Sequence, residues 1–265
     1  MSTLPGGRLA PPPPVTRVAA GGAAFLMAAV FAFAWAGMGT LANLSENHTA
    51  EVILRRALVE PTRAALTEAL RTQPQSPVAV DDDLLNFSVD RNQASDINLP
   101  VELAGRRAAE LYANGLPKDP GIERTRAELP RNVLALMTAD RHQKLSTAKT
   151  AALIGVATAF LLCAAIATGA ARFLLPGAAA LLAYLLLQYH VRLFNLWVER
   201  NSPGALTYRG KVRIAAFGPS RDLLFVAITL LVAGVVFRGL RGPLRAAFGR
   251  SRQAEPEQAA GGAPA

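Results

Sequence analysis

The feature that most constrains this chain is a set of four long apolar stretches. They run over 18–42, 149–172, 174–198 and 223–240. A helix needs about 20 apolar residues to cross the hydrocarbon core of a bilayer. The fourth stretch is short, but Asp222 and Arg238 at its ends can reach outward and complete it. The sequence therefore predicts an all-α integral membrane protein with four transmembrane helices.

The first stretch can be interpreted as an uncleaved anchor or as a signal peptide. Arg8 and Arg17 precede it, and Thr40 to Ala42 weakly resembles a cleavage site. Its apolar run, however, is much longer than the usual 7–15 residues of a signal-peptide core. We therefore expect an uncleaved membrane anchor.

The charge of the chain is unevenly distributed. The net charge is +9, but residues 43–148 are nearly balanced, so the excess of arginine lies beside the apolar stretches. Membrane proteins place basic residues there to meet anionic lipid and to set their orientation. Because the basic residues form no motif on a soluble domain, we expect membrane lipids, and no nucleic acid, as partners.

Composition and motifs point away from enzyme chemistry. The single cysteine cannot form an intramolecular disulfide. The chain has three histidines and no phosphate-binding loop, zinc-protease motif or nucleophile elbow. The acidic run from Asp81 to Asp83, with Asp90 and Asp96 further on, fails the EF-hand pattern because Val101 stands at the twelfth loop position from Asp90. We expect no cofactor, no metal and no catalytic residue.

Residues 43–148 predict a mainly helical domain inserted between transmembrane helices 1 and 2. Apolar periodicity predicts a helix over 46–71 that Pro61 should kink or restart. A second helix should begin at Pro100 and stop at Gly115, and a third should begin near Asp119 and lead toward the second apolar stretch. The middle is not helical by pattern, and 78–80 and 87–89 are candidate short strands.

Small residues recur every four positions in the first two apolar stretches. One series is Ala24, Ala28, Ala32, Ala36 and Thr40; the other is Ala151, Gly155, Ala159, Cys163, Ala167 and Ala171. Residues four apart share a helix face, and small side chains there let two helices approach closely. We therefore predict helix–helix contact faces, through which the chain would also meet another membrane protein or a second copy of itself. A chance effect of the alanine-rich composition is the alternative.

The second and third apolar stretches are separated by very few residues. Arg172 to Leu175 and then Pro176–Gly177 lie between them. This spacing predicts a tight hairpin of antiparallel helices, with Pro176 in the first turn of the third helix, where a missing N–H is tolerated.

Only the third apolar stretch carries polar groups at depth. Steps of three and four residues place these on one face: Tyr184, Gln188, Arg192, Asn195 and Glu199. The face could line a polar cleft or bind a partner, because charged groups in a membrane usually face protein or water. Alternatively, Arg192 and Glu199 extend to the interface from the helix end. If Arg192 is buried, we expect Asp222 to be its ionic partner, with Glu199 as second choice.

The remaining segments are predicted from composition and charge. Residues 1–17 form a Pro-rich cytoplasmic N-terminus, 199–222 a basic loop, and 241–265 a C-terminal tail that is basic and then disordered. Arginines after the fourth helix are candidate contacts to anionic lipid: Arg238, Arg241, Arg245, Arg250 and Arg252. The short segments on the same side of the membrane as the N-terminus hold eight basic residues, and the short loop on the opposite side holds five. Because basic residues favour the cytoplasmic side, both termini should be cytoplasmic.

The sequence favours a non-catalytic function. We expect a multi-pass protein that anchors a helical extracytoplasmic domain and serves as an accessory, assembly or sensory subunit of a membrane complex. The alternative is a small transporter or channel subunit that uses the polar face of transmembrane helix 3. The Ala/Arg-rich composition suggests a bacterial-type cytoplasmic (inner) membrane.

Overall fold

The computed structural model describes residues 14–82, 85–93, 96–115, 136–201 and 206–253. Their side chains are described over 18–80, 88–93, 96–115, 136–197, 199–200 and 210–240. The structure is 85% helical. In chain order its elements are α1 (Pro14–Leu44), α2 (Asn47–Thr72), β1 (Val78–Asp82), β2 (Leu85–Val89), α3 (Leu99–Asn114), α4 (Ala139–Ile166), α5 (Ala171–Asn201) and α6 (Leu206–Gln253).

Four of these helices are long and apolar enough to cross a membrane, as the sequence predicts. Their candidate spans are Val18–Leu44 in α1, Ala139–Ile166 in α4, Ala171–Trp197 in α5 and Gly210–Leu240 in α6. At 1.5 Å per residue each exceeds the ~30 Å of a hydrocarbon core. The prediction of four membrane-spanning helices is therefore supported by length and composition.

The chain divides into two compact units, and the four long helices contribute to both. Unit 1 comprises residues 1–32, 154–184 and 223–265, and unit 2 comprises residues 33–153 and 185–222.

Unit 1 is built around alanines. Its buried cluster consists of Ala24, Ala28, Ala29, Ala159, Cys163 and Ala179. The helices lie so close together that a Cβ added at Gly155 of α4 would stand 2.5 Å from the ring of Phe31 in α1. On the other side, a Cβ added at Gly177 of α5 would stand 3.1 Å from atoms of Leu230 and Leu231 in α6. Close backbone approach, rather than bulky side chains, therefore holds this unit together.

The small-residue series are used inside the chain. All five residues of the α1 series are buried, and Ala24 and Ala28 pack in one cluster with Ala159 and Cys163 of the α4 series. Ala151, at the start of the second series, is exposed. The predicted helix–helix contact is thus confirmed. The α1 series is covered inside the chain, and contact of the small-residue faces with another membrane protein or a second copy stays a prediction.

Unit 2 contains a second core between α2, α3 and the adjoining ends of the long helices. The apolar stripe of α2, including Leu54 and Leu58, packs with Ala104, Ala108 and Leu111 of α3. Leu44, Met137, Val212 and Ala215 join the same cluster. The two strands form an antiparallel hairpin, with Val78 opposite Val89. Val78 and Val80 pack against Leu66 and Ala69 at the end of α2.

Several local predictions for residues 43–148 are confirmed. Both short strands are present, and α3 has Pro100 in its first turn and ends at Gly115, whose φ is +82°. The helix through Pro61 is continuous from Asn47 to Thr72. The predicted helix start near Asp119 lies outside the described residues, as do residues 1–13.

The hairpin between the second and third long helices is present, but its turn lies earlier than predicted. α4 ends at Ile166 and α5 begins at Ala171, with Gly169 in the left-handed region at φ +59°. Glycine favours this region because it has no Cβ. Arg172 closes the turn by donating from Nε to the carbonyl of Ala167 at 3.0 Å. Pro176 consequently lies inside α5, beyond the first turn.

The region predicted as a basic loop over 199–222 is largely helical. α5 continues to Asn201, and α6 is already helical from Leu206. Gly210, Gly218 and Pro219 have low helix propensity, but tertiary burial decides the conformation. A buried stripe at helical spacing explains the difference: Val212, Ala215, Ala216, Ser220 and Leu223. The helix also continues beyond residue 240 to Gln253, through Gly242 and Pro243.

Candidate functional site

The polar face of α5 lies beside its buried stripe. Ala180, Ala183 and Leu187 are buried on this helix. Gln188 is one position further on, about 100° around the helix axis from Leu187. Along the face, Tyr184 and Asn195 are half-buried, whereas Gln188, Arg192 and Glu199 are exposed. The structure thus places these residues at the border between the helix contacts and the outer surface.

Gln188 connects this face to α6. Its side-chain amide donates from Nε2 to the hydroxyl oxygen of Ser220 at 2.9 Å, and Ser220 is buried. Hydrogen bonds between transmembrane helices average about 0.6 kcal/mol, with values up to ~1.7. Ser220 follows the small-residue spacing of Val212 and Ala216, which is the signal that sequence reasoning overlooked.

An exposed ion pair lies next to this hydrogen bond. The guanidinium of Arg221 stands 3.3 Å from the carboxylate of Asp222, and the two side chains are 69% and 50% exposed. We call Gln188, Ser220, Arg221 and Asp222 the polar layer. All four residues lie within candidate membrane spans.

The pairing of Arg192 with Asp222 is expected only for a buried Arg192, whereas Arg192 is exposed. Among the described side chains, the ionic partner of Asp222 is Arg221. Helix register also separates Arg192 from Asp222. Because Gln188 faces Ser220 and the helices are antiparallel, Asp222 lies level with about residue 186 of α5. Arg192 is six residues further along, which corresponds to ~9 Å of helix.

Asn195 contributes a second polar feature on the same face. Its Oδ1 is buried and accepts no hydrogen bond within the described part of the chain. A buried amide oxygen without a donor is unfavourable by about 1–3 kcal/mol. Arg192, one turn earlier, is exposed. The face therefore combines a buried acceptor that lacks a donor with an exposed cation.

A separate polar cluster fixes the end of α1 in unit 2. Nδ1 of His142, in the first turn of α4, stands 3.1 Å from the carbonyl oxygen of Ala42 and 3.2 Å from the hydroxyl of Ser45. The Asn43 side chain donates from Nδ2 to the carbonyl of Ala215 in α6 at 2.9 Å. The carbonyl of Ala42 is one that helix geometry leaves unpaired at a C-terminus. The carbonyl of Ala215 lacks its usual donor because Pro219, four residues further on, has no N–H. Sequence spacing gave no signal for this cluster, because its contacts join residues that are 97 to 172 positions apart.

Two acidic residues of the hairpin region have local structural roles, whereas the side chains of 81–83 lie outside the described set. Asp90 accepts from the Ser76 hydroxyl at 3.1 Å, and Asp96 accepts from the backbone N–H of Asn98 at 2.9 Å. Over the described ranges, no group of three or more His, Cys, Asp or Glu could hold a metal ion.

The candidate lipid-contacting arginines lie at the far end of α6. Arg238 is exposed. The helix backbone continues through the positions of Arg241, Arg245, Arg250 and Arg252, whose side chains lie outside the described set. Successive steps of three, four and seven residues place positions 238, 241, 245 and 252 on one face of this helix.

The fold indicates the general class of protein. It is a helical chain with four helices long and apolar enough to cross a membrane, which is compatible with a multi-pass transmembrane protein. Comparisons with protein-family models, curated proteins and solved structures give no match to this chain.

Proposed function

We propose that this multi-pass membrane protein anchors a helical extracytoplasmic domain and acts as a non-catalytic accessory, assembly or sensory subunit of a membrane complex. The observation that carries the proposal is the exposed Arg221–Asp222 ion pair. Asp222 lies twelve residues inside the candidate span Gly210–Leu240. Charged groups inside a membrane span are unfavourable against lipid and usually face protein or water. A membrane partner would supply that environment.

The domain placement rests on residues 43–148. Exposed ion pairs lie on α2, between Glu60 and Arg63 and between Glu68 and Arg71, and α3 carries the half-exposed pair of Arg107 with Glu110. Neither helix is among the candidate spans found in the described chain. Charged surface pairs of this kind suit a helix in water. We therefore propose that this region lies outside the membrane, on the extracytoplasmic side.

The proposed location is a bacterial-type inner membrane with both termini in the cytoplasm. Arg172 at the α4–α5 turn and the arginines from Arg238 onward would then meet the anionic cytoplasmic leaflet. The opposite ends of the candidate membrane spans hold fewer basic residues in short segments, including Lys211 and Arg213.

The partner proposal is tested by affinity purification from native membranes in mild detergent, followed by mass spectrometry. We expect a stoichiometric membrane partner that is lost in the Arg221→Leu/Asp222→Leu double variant. The matched control is Asp140→Leu/Lys144→Leu, which removes an ion pair of similar exposure, 66% and 65%, from α4. Retention of the partner by the first variant would contradict the role of the polar layer.

A second candidate function is a transporter or channel subunit in which the polar face lines a path. It is favoured by Arg192, which is exposed, and by the unpaired Oδ1 of Asn195 on the same face. A path requires water at this face. Gln188→Cys and Asn195→Cys would then react with a water-soluble thiol reagent, whereas the native Cys163 is buried and provides the background. Protection at both positions would exclude the path.

A further inference from the structure

Unit 1 contains a groove of about 510 Å³ beside the α4–α5 turn. Phe160, Leu161 and Ala164 of α4 line it from one side, and Phe173 and Leu230 line it from α5 and α6. Its size is within the ~300–1,000 Å³ typical of small-molecule sites. From Ala157 to Ala164 the groove follows α4 for ~10 Å, so an extended apolar chain fits its shape and chemistry.

A cation stands at the turn end of this apolar groove. Arg172 lines the groove, and its Nε donates to the carbonyl of Ala167 at 3.0 Å. This bond orients the guanidinium while its terminal nitrogens form no ion pair among the described residues. Arginine nitrogens in this arrangement bind phosphate oxygens well because the planar group presents parallel donors.

Further positive charge gathers at the same end of unit 1. The rings of Phe173 and Phe237 are 5.8 Å apart, which brings their neighbours Arg172 and Arg238 to one end of the helices. The described ranges of this unit, 14–32, 154–184 and 223–253, contain arginines but no aspartate or glutamate. No carboxylate within these described ranges therefore competes for Arg172.

We propose that this groove binds an anionic phospholipid, with an acyl chain along Phe160, Leu161 and Ala164 and the headgroup phosphate on Arg172. Charge complementarity selects a lipid over an apolar helix of a partner, because the groove combines a purely apolar length with a cationic end. Exposed apolar residues such as Leu161 and Ile154 continue the same surface, so lipid reaches the groove directly. The proposal does not depend on the identity of any protein partner.

The test compares phospholipids retained by the full chain in native mass spectrometry after titration with phosphatidylglycerol or phosphatidylcholine. The wild type should prefer phosphatidylglycerol. Arg172→Gln should weaken phosphatidylglycerol binding about fivefold, the change that one headgroup contact of ~1 kcal/mol produces. Arg172→Lys keeps the charge but lacks the Nε hydrogen bond to Ala167. It should retain most of the preference for phosphatidylglycerol over phosphatidylcholine.

Two further variants test the apolar part of the site. Ala164→Phe fills the groove and should reduce the binding of both lipids at least fivefold. Ala165→Phe adds the same ring at the next, exposed position of α4, outside the groove lining, and should bind as the wild type does. Thermal unfolding of each variant in detergent shows that the chain remains folded.

Three outcomes would overturn the proposal. Unchanged binding in both Arg172→Gln and Ala164→Phe would exclude the groove as a lipid site. Equal losses of binding and melting temperature in Arg172→Gln and Arg172→Lys would show that Arg172 only closes the turn. Loss of a copurifying protein, but not of lipid, in Ala164→Phe would assign the groove to a partner helix.

Discussion

At the scale of single residues, the contact between Gln188 and Ser220 joins α5 to α6 by side chains alone. Gln188→Ala removes the donor and leaves the buried Ser220 hydroxyl without this hydrogen bond. We expect the free energy of unfolding to fall by about 0.6–1.7 kcal/mol, measured by denaturant titration in detergent.

The control for Gln188 is Gln143→Ala in α4. Gln143 is exposed, and its side chain forms no hydrogen bond within the described ranges. The same truncation there should leave stability unchanged. Equal effects in the two variants would show that the Gln188 amide contributes nothing specific.

Tyr112 of α3 provides a residue-scale test of the packing in unit 2. Burial raises the pKa of its phenol, and the nearby carboxylates of Glu51 and Glu46 raise it further. Because the folded-state pKa is above the ordinary value of about 10, Tyr112 stabilises the fold fully below that pH. This stabilisation is lost as the pH rises through the folded-state pKa.

The shift of Tyr112 can be measured by ultraviolet absorbance during alkaline titration, with Tyr112→Phe subtracted to isolate its signal. Glu51→Gln should move the titration to lower pH, because one repelling carboxylate is removed. Glu102→Gln on α3 should not move it. If Tyr112 titrated at its ordinary pKa, the packing of α3 against α2 would be looser than described.

At the scale of helices, the contact of α1 with α4 depends on the absence of a side chain at Gly155. Gly155→Ala places a Cβ against Phe31, so the ring or a helix must shift. Overpacking of this kind destabilises proteins by about 1–3 kcal/mol. We expect a loss in that range, measured by thermal unfolding in lipid nanodiscs, and recovery of part of it in Gly155→Ala/Phe31→Ala.

Gly22→Ala in α1 is the matched control for this contact. A Cβ at Gly22 meets nothing within 4 Å. Alanine is the better helix former by about 1 kcal/mol, so this variant should be unchanged or slightly more stable. A loss as large as that at Gly155 would indicate that glycine is needed for another reason.

Elements whose signals are local could be predicted from the sequence, and contacts that depend on register could not. Pro100 and Gly115 mark the ends of α3 by backbone chemistry alone, and the apolar length of the long helices is independent of neighbours. The position of Ser220 opposite Gln188 depends on where α6 begins. Gly218 and Pro219 have low helix propensity, so the sequence did not predict that α6 begins before them. Burial of its neighbouring residues outweighs that propensity.

The same distinction applies to the candidate site. Helical spacing identified the α5 face, including Gln188 and Asn195, since these residues belong to one element. It could not identify Ser220 as the partner of Gln188, because that contact depends on the antiparallel register of two helices.

At the scale of the whole molecule, the proposed sidedness gives a direct prediction. Val101 is exposed on α3, in the region proposed to be extracytoplasmic. In a Cys163→Ala background, Val101→Cys should react with a membrane-impermeant thiol reagent in cells with a permeable outer membrane and an intact inner membrane. Ser2→Cys, near the N-terminus, should react only after lysis. The reverse pattern would place residues 43–148 in the cytoplasm.

The alanine-lined contacts between the long helices have a calorimetric consequence. When such helices separate within a bilayer, their small inner faces meet lipid and not water. The heat-capacity increment of unfolding arises from apolar surface that becomes hydrated. Separation of the long helices in lipid should therefore contribute little to that increment. The increment in scanning calorimetry should instead reflect the core around Leu54, Leu58 and Leu111. The membrane-spanning part would then keep its cohesion on cooling, where hydration-driven stability weakens.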